Sequence, residues 1–220
     1  ELNSIEREAL RAFRGGEDAR PRSGEEDAAW AAFGLRGLLE ASRVLRESAN
    51  LCGGHVELKS DGSPATPIER AVEQAQRERL SVFEPSATIL GEETGGSELS
   101  SSGLAVAVDP VDGTWAFLTE TATWTTTLAV FRDGRAIAGF VGCPMSGELA
   151  YAIAGGRARC LRLSTFGEPD AGFDLPSASS GSGKLLVNFH PSRGSDAVQR
   201  ALLGLSLLLR PTRSTRGRGS

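Results

Sequence analysis

The chain has 220 residues, is 40% apolar and carries a formal net charge of −4 at pH 7. That length allows one large domain or two small ones, and the apolar share is enough to build a core. The weakly acidic balance gives no basic footprint for nucleic acid, and no apolar run approaches a membrane span.

Residues 1–22 read as a short helix followed by a charged, Gly/Arg/Pro-rich linker. Residues 23–50 read as a long helix. It opens on the capping-box pattern Ser23-Gly24-Glu25-Glu26 and carries Trp30, Phe33, Leu38 and Leu45. A strand is predicted near 54–60. Thr66-Pro67-Ile68-Glu69 then starts a helix that runs to about Phe83. Thr sits at the N-cap, Pro in the first turn and Glu three residues on. Ile68, Val72 and Ala75 give this helix its apolar face.

Ala87 to Leu90 reads as a strand that ends in Gly91-Glu92-Glu93-Thr94, and a Gly/Ser-rich loop follows over 95–103. The apolar run Leu104-Ala-Val-Ala-Val108 is expected to be a strand covered on both faces. Pro110 then forces a turn, so Asp109 and Asp112 emerge where the strand ends. Four β runs are predicted over 123–163. Arg132-Asp133-Gly134-Arg135 makes the first hairpin, and Pro144-Met145-Ser146-Gly147 and Ala154-Gly155-Gly156 make the next turns. Residues 164–183 read as a linker. Residues 184–189 begin an α/β half, with a helix near 195–204 and an apolar segment over 205–209. There is no internal repeat.

The chemistry concentrates at Asp109-Pro110-Val111-Asp112-Gly113-Thr114. Two carboxylates this close repel each other unless a cation lies between them, and oxygen ligands suit a hard cation such as Mg²⁺. Asp-Pro and Asp-Gly are also plain turn dipeptides. An EF-hand fails, because Val111 and Gly113 take ligand positions and Thr114 stands where that loop needs glycine. If the two apolar strands are neighbours, Glu92, Asp109 and Asp112 converge on one crevice. Metals with an open coordination position suit phosphate chemistry. Glu69 reads two ways: as a capping-box carboxylate, or as an acid that reaches Thr114 and helps polarise a water. Gly181-Ser182-Gly183-Lys184 fails as a P-loop, since Ala178 and Leu185 stand at required positions, and Gly217-Arg218-Gly219 stops short of a dinucleotide motif. His55 and His190 are isolated and are assigned to structure. Cys52, Cys143 and Cys160 are odd in number and not closely spaced, which suits reduced thiols and predicts a cytoplasmic protein.

Lys59-Ser60-Asp61-Gly62-Ser63-Pro64-Ala65-Thr66, Gly91-Glu92-Glu93 and Asp109 to Thr114 together resemble the inositol monophosphatase superfamily in order and spacing. The likeness takes in the strands around Asp133-Gly134 and the segment Gly147-Glu148-Leu149-Ala150-Tyr151-Ala152, and covers roughly residues 28 to 220. It implies an α/β fold, a layered αβαβα sandwich of the sugar-phosphatase type. Its N-terminal half would be α+β with a mostly antiparallel sheet, and its C-terminal part incomplete. The expected organisation is an N-terminal extension (1–22), a metal-binding domain (23–163), a linker (164–183) and the start of a second domain (184–220).

The resemblance also implies Mg²⁺-dependent phosphomonoester hydrolysis without a covalent intermediate. Glu92, Asp109 and the Val111 carbonyl would hold a first metal. Asp109 would bridge to a second metal bound by Asp112, and Glu93 would support the set. Gly113 and Thr114 would face the phosphate, and Thr114 would pair with Glu69 to orient the attacking water. The family usually has aspartate at position 69 and often asparagine at position 116, where this chain has Ala116. An inositol or related sugar-alcohol phosphate is the leading substrate; a nucleotide or histidinol phosphate is the alternative. A catalytically inactive fragment or pseudoenzyme that binds metal or phosphate is the alternative of another class. The expected partners are a small phosphorylated substrate, with no nucleic acid and no membrane, and a homodimer is allowed. Arg216-Gly217-Arg218-Gly219-Ser220 resembles a segment that in the family leads to a further helix and a Trp-Asp motif carrying another metal ligand. None of Trp30, Trp115 and Trp124 precedes an aspartate, so the resemblance implies a shortened chain with weak or no activity by itself.

Overall fold

A computed structural model describes residues 1–18, 26–49, 56–59, 62, 64–96, 102–164 and 168–175. The expectations for Ser23, Cys52, His55, His190 and the segments beyond 183 lie outside the described residues.

The helices are α1 (Ser4–Gly15), α2 (Glu26–Ala49), α3 (Pro67–Phe83) and α4 (Thr114–Leu118). A small antiparallel pair, β1 (Glu57–Leu58) and β2 (Pro64–Ala65), precedes α3. The main sheet contains β3 (Thr88–Gly91), β4 (Gly95–Gly96), β5 (Leu104–Asp112), β6 (Thr125–Arg132), β7 (Arg135–Cys143), β8 (Glu148–Ile153), β9 (Arg159–Leu163) and β10 (Pro169–Asp174). Their spatial order is β10-β9-β8-β7-β6-β5-β3-β4. Only β3 and β5 pair in parallel among these strands, so the sheet is mixed and mostly antiparallel, as expected. Residues 169–174, read from sequence as part of a linker, form the edge strand β10. Their Gly and Pro content hid a short extended run that pairs with β9.

One face of the sheet is apolar across successive strands. Val106 lies opposite Val130, Val130 opposite Ala138, Leu128 opposite Phe140, Phe140 opposite Tyr151 and Leu149 opposite Leu161. All of them are buried in one cluster with Trp30, Phe33, Leu35, Leu38 and Leu39 of α2 and with Leu80 and Phe83 of α3. The period-2 alternation of the strands and the 3.6-residue stripe of α2 meet in this layer. Phe33 and Phe83 stack at 4.6 Å, and Trp30 meets Phe83 edge-on at 4.9 Å. These rings fix α3 against α2.

The predicted hairpin is present. Arg132 pairs with Arg135 around Asp133 (φ 50°) and Gly134 (φ 72°), the left-handed pair that a two-residue turn needs. The apolar face expected for α3 needs correction. Val72, Leu80 and Phe83 are buried, but Ala75 is exposed. Glu69, Glu73 and Gln76 are buried on that helix instead, because the neighbouring elements supply polar partners there.

A buried polar knot ties α1 to the sheet. The Glu6 side chain is fully buried. It accepts from the Tyr151 hydroxyl at 3.0 Å and from Arg159 Nε at 2.7 Å, and it closes the Asn3 capping box. Burial pushes the Glu6 carboxyl up, but the bond from Arg159, with Asn3 N–H and Tyr151, outweighs it and holds the carboxyl below its ordinary value. Burial pushes the Tyr151 hydroxyl up to about 12. Beside α2, Arg36 and Arg79 converge on Asp18 at 2.9 and 3.0 Å. No helix among the described residues is long and apolar enough to cross a membrane.

Because the folded Glu6 releases its proton more readily than the unfolded one, its contribution is complete above the ordinary value of 4.5. It is lost as pH falls through the lowered folded value. Glu6→Gln should cost about 2–3 kcal/mol at neutral pH, the worth of charge-assisted hydrogen bonds. Urea unfolding at neutral and acid pH checks this: the deficit should shrink on acidification, and a constant deficit would contradict the assignment.

Candidate active site

The parallel pairing of β3 and β5 places Gly91 opposite Val108. Both acidic segments therefore leave the sheet at the same level and on the same side. Glu92 N–H continues the ladder by donating to the Val108 carbonyl at 3.2 Å.

β5 does not end at Val108 as its apolar run suggested. It continues through Pro110 to Asp112, with its register against β6 broken between Asp109, opposite Thr127, and Asp112, opposite Thr125. Pro110 has no N–H for the ladder, and the irregularity takes up the extra residue. Asp109 Oδ1 accepts the Val111 N–H at 3.1 Å, which fixes this bend locally. The Val111 side chain is buried with Phe117, Trp124, Val72, Ala41 and Leu45 directly beneath the bend. Gly113, at φ 97°, caps α4 in a left-handed conformation that a side chain would strain.

Thr114 is the first residue of α4 and is buried, but it does not cap that helix. Its hydroxyl turns to α3 and donates to Glu69 Oε1 at 2.8 Å. Glu69 Oε2 accepts from Thr66 N–H at 2.6 Å and from the Thr66 hydroxyl at 2.7 Å. One carboxylate oxygen of Glu69 thus closes the capping box and the other reaches Thr114. Burial pushes the Glu69 carboxyl up, with the nearby Glu93 charge adding to it, and the hydrogen bonds from Thr66 and Thr114 offset this only in part.

Asp109 lies near enough to Glu92 and Asp112 to feel both charges. The Asp109 carboxyl is pushed up to about 8, first by burial, then by the charge and proximity of Glu92 and the charge of Asp112. Among the described residues, no group of three His, Cys, Asp or Glu side chains is spaced to hold a metal ion as placed. Lys59 Nζ instead bridges Glu92 Oε1 at 3.1 Å and Glu93 Oε1 at 2.6 Å. Burial lowers the Lys59 ammonium's pKa, but the bonds to Glu93 and Glu92 outweigh this and raise it overall. Glu93 Oε2 is buried without a hydrogen-bond partner among the described residues. Oxygen-only donors, mutual repulsion around Asp109 and an orphaned carboxylate oxygen fit a hard divalent cation.

Sequence reasoning assigned no role to Lys59 or to Glu73. Glu73 is buried one helical turn beyond Glu69, and its Oε2 accepts the Glu93 N–H at 2.8 Å. Glu73 followed by Arg77 reads as an ordinary surface ion pair. The usable signal is its position on the same helical stripe as Val72 and Leu80.

A family model described as the inositol monophosphatase family matches residues 29–212. A histidinol-phosphatase of Mycobacterium tuberculosis is 37% identical over 89 residues, 40% of this chain and 34% of that protein. An inositol-1-monophosphatase of Mycobacterium leprae is 32% identical over 108 residues, 47% of this chain and 37% of that protein. The crystal structure of the extragenic suppressor protein suhB from Bartonella henselae aligns with a TM-score of 0.53 at 26% identity, covering 56% of this chain and 48% of that one. The chain thus spans well under half the length of these two curated relatives and about half of the solved structure.

Asp109 binds a proton more tightly folded than unfolded. Between its ordinary 3.8 and about 8 the folded state therefore holds more protons, and rising pH through that window destabilises the fold. Asp109→Asn removes this contribution. In chelator, the variant should melt above the parent at the top of the window, by about 2–4 °C for each kcal/mol gained. The gap should close toward the bottom of the window. A variant that melts lower throughout would contradict the convergence of the three acids.

Proposed function

The chain belongs to the inositol monophosphatase family, and on that premise we propose that it hydrolyses the phosphate monoester of a small alcohol with Mg²⁺. The single observation that carries this reading is the Thr114 hydroxyl held by the buried Glu69 at 2.8 Å, directly after the turn on which Asp109 lies within the charge of Glu92 and Asp112. Glu92, Asp109, Asp112 and the Val111 carbonyl are the proposed metal ligands, with Glu93 in support. When bound, Mg²⁺ supplies positive charge that offsets the phosphate oxygens and lowers the pKa of a water.

The chain's own groups do the rest. Glu69 takes the Thr114 hydroxyl proton as a hydrogen bond, which leaves the Thr114 lone pairs to accept from the attacking water and set its direction. The raised pKa of Glu69 brings its carboxylate nearer to a working base. The backbone N–H groups of Gly113 and Thr114 open α4 and are proposed to donate to the phosphate. The longer glutamate at position 69 reaches Thr114 as the family's aspartate is expected to, at 2.8 Å.

An inositol or sugar-alcohol phosphate is the first substrate. Histidinol phosphate is the second reading, favoured by the 37% identical Mycobacterium tuberculosis relative. Phosphate release from inositol 1-phosphate, histidinol phosphate and a bisphosphorylated nucleotide, with Mg²⁺ and with chelator, tests the proposal. Mg²⁺-dependent release from one of them is expected. Glu69→Gln should lower kcat about 100-fold while KM changes little. Release is expected to be weak from these 220 residues alone; no release from any substrate even when they are joined to a family member's Trp-Asp segment would overturn the hydrolase reading in favour of a protein that binds metal or phosphate without turnover.

A further inference from the structure

We infer that Glu73 is a positioning residue for the proposed metal site, clamping the turn that presents Glu92 and Glu93; the inference rests on the Mg²⁺-dependent reading above. The Glu73 side chain is fully buried. One of its oxygens accepts the Glu93 N–H at 2.8 Å, and the other accepts the Thr94 hydroxyl. Arg77, one turn further along α3, balances its charge with Nη2 at 2.9 Å and Nε at 3.2 Å, and also donates to the Gly95 carbonyl. The whole Gly91–Gly95 turn is therefore gripped by one acid-base pair on α3.

Gly91 shows how close this grip is. A Cβ at Gly91 would overlap the Glu73 carboxylate. The glycine that opens the Gly-Glu-Glu motif is thus explained by the approach of Glu73, and its backbone φ is not in the left-handed region.

Glu69 and Glu73 are four residues apart, about 6 Å along the helix, and face the same side. Glu69 holds Thr114 after β5, and Glu73 holds the turn after β3. With Gly91 registered against Val108, the separation of Glu92 from Asp109 is set by one rigid helix and one strand pair. Without Glu73, the turn keeps, among the described residues, the Glu92 N–H bond to Val108, the Lys59 bridge, the short β3–β4 pairing and the Arg77 bond to the Gly95 carbonyl, none of which holds the Glu93 N–H. Removing such a support for a metal ligand typically weakens metal binding about 10- to 100-fold.

Calorimetric Mg²⁺ titration and amide hydrogen exchange of the protein test this, with no turnover required. Glu73→Gln should weaken Mg²⁺ binding by about 10-fold or more and speed exchange of the Glu93 and Thr94 amides without metal. Gly91→Ala, which displaces the same carboxylate from the other side, should do likewise. Glu6→Gln is the control for a merely structural buried acid: it should leave Mg²⁺ affinity and those two amides unchanged. Glu73→Gln and Gly91→Ala proteins that bind Mg²⁺ as the unmutated one does would overturn the role of Glu73 while leaving the site reading intact. No Mg²⁺ binding by the unmutated protein would overturn the reading and the inference together.

Discussion

Two carboxylates buried one turn apart on α3, Glu69 and Glu73, fix the geometry on which the rest of the site depends. A buried carboxylate is costly unless its oxygens are hydrogen-bonded. Here the donors are the groups that the site needs held: Thr114 for Glu69, and Glu93 N–H and Thr94 for Glu73. The helix cannot slide or rotate without stranding charge. Its far end is locked by Leu80 and Phe83 in the aromatic cluster with Trp30 and Phe33, and Val72 seats its first half on Val111, Phe117 and Trp124. The apolar core thus carries α3, and α3 carries the acidic loops.

The loops are electrostatically strained. Glu92 and Glu93 follow β3, Asp109 and Asp112 end the neighbouring β5, and Lys59 bridges Glu92 and Glu93. Burial first, and then the charges of Glu92 and Asp112, raise the Asp109 carboxyl to about 8. Functional sites often carry such charge at a cost in stability. The knot of Glu6, Tyr151 and Arg159 on the other side of the fold is different: every oxygen of Glu6 is matched, and it stabilises with no charge left over.

Much of this was legible in the sequence because it is local. Thr66-Pro67-Ile68-Glu69 specified its capping box within four residues, and Asp133-Gly134 specified its hairpin within two. Apolar runs marked where β3 and β5 lie, though not where β5 ends, and their adjacency entered as a condition that the parallel pairing meets. Residue 73 was not legible. A Glu followed four residues later by Arg reads as solvated charge, and only the approach of Gly91 and the Glu93 N–H from another element makes it a buried clamp. Ala75 failed in the opposite sense, since an alanine fits a core face and an exposed helix face equally well. The continuation of β5 past Pro110 was missed because a proline signals an end to a strand, whereas a register break can absorb it. β10 was hidden by Gly and Pro in a short edge strand, where neither residue is excluded.

The central claim is that the register of β3 against β5, held by α3, lets Glu92, Asp109 and Asp112 serve one metal centre. Crystals grown with Mn²⁺ in place of Mg²⁺ test it most directly through the anomalous signal of the metal. The account predicts a peak about 2 Å from carboxylate oxygens of Glu92 and Asp109, with Asp112 on the same metal or on an adjoining one. A peak remote from these three side chains, or none at saturating Mn²⁺, would contradict it.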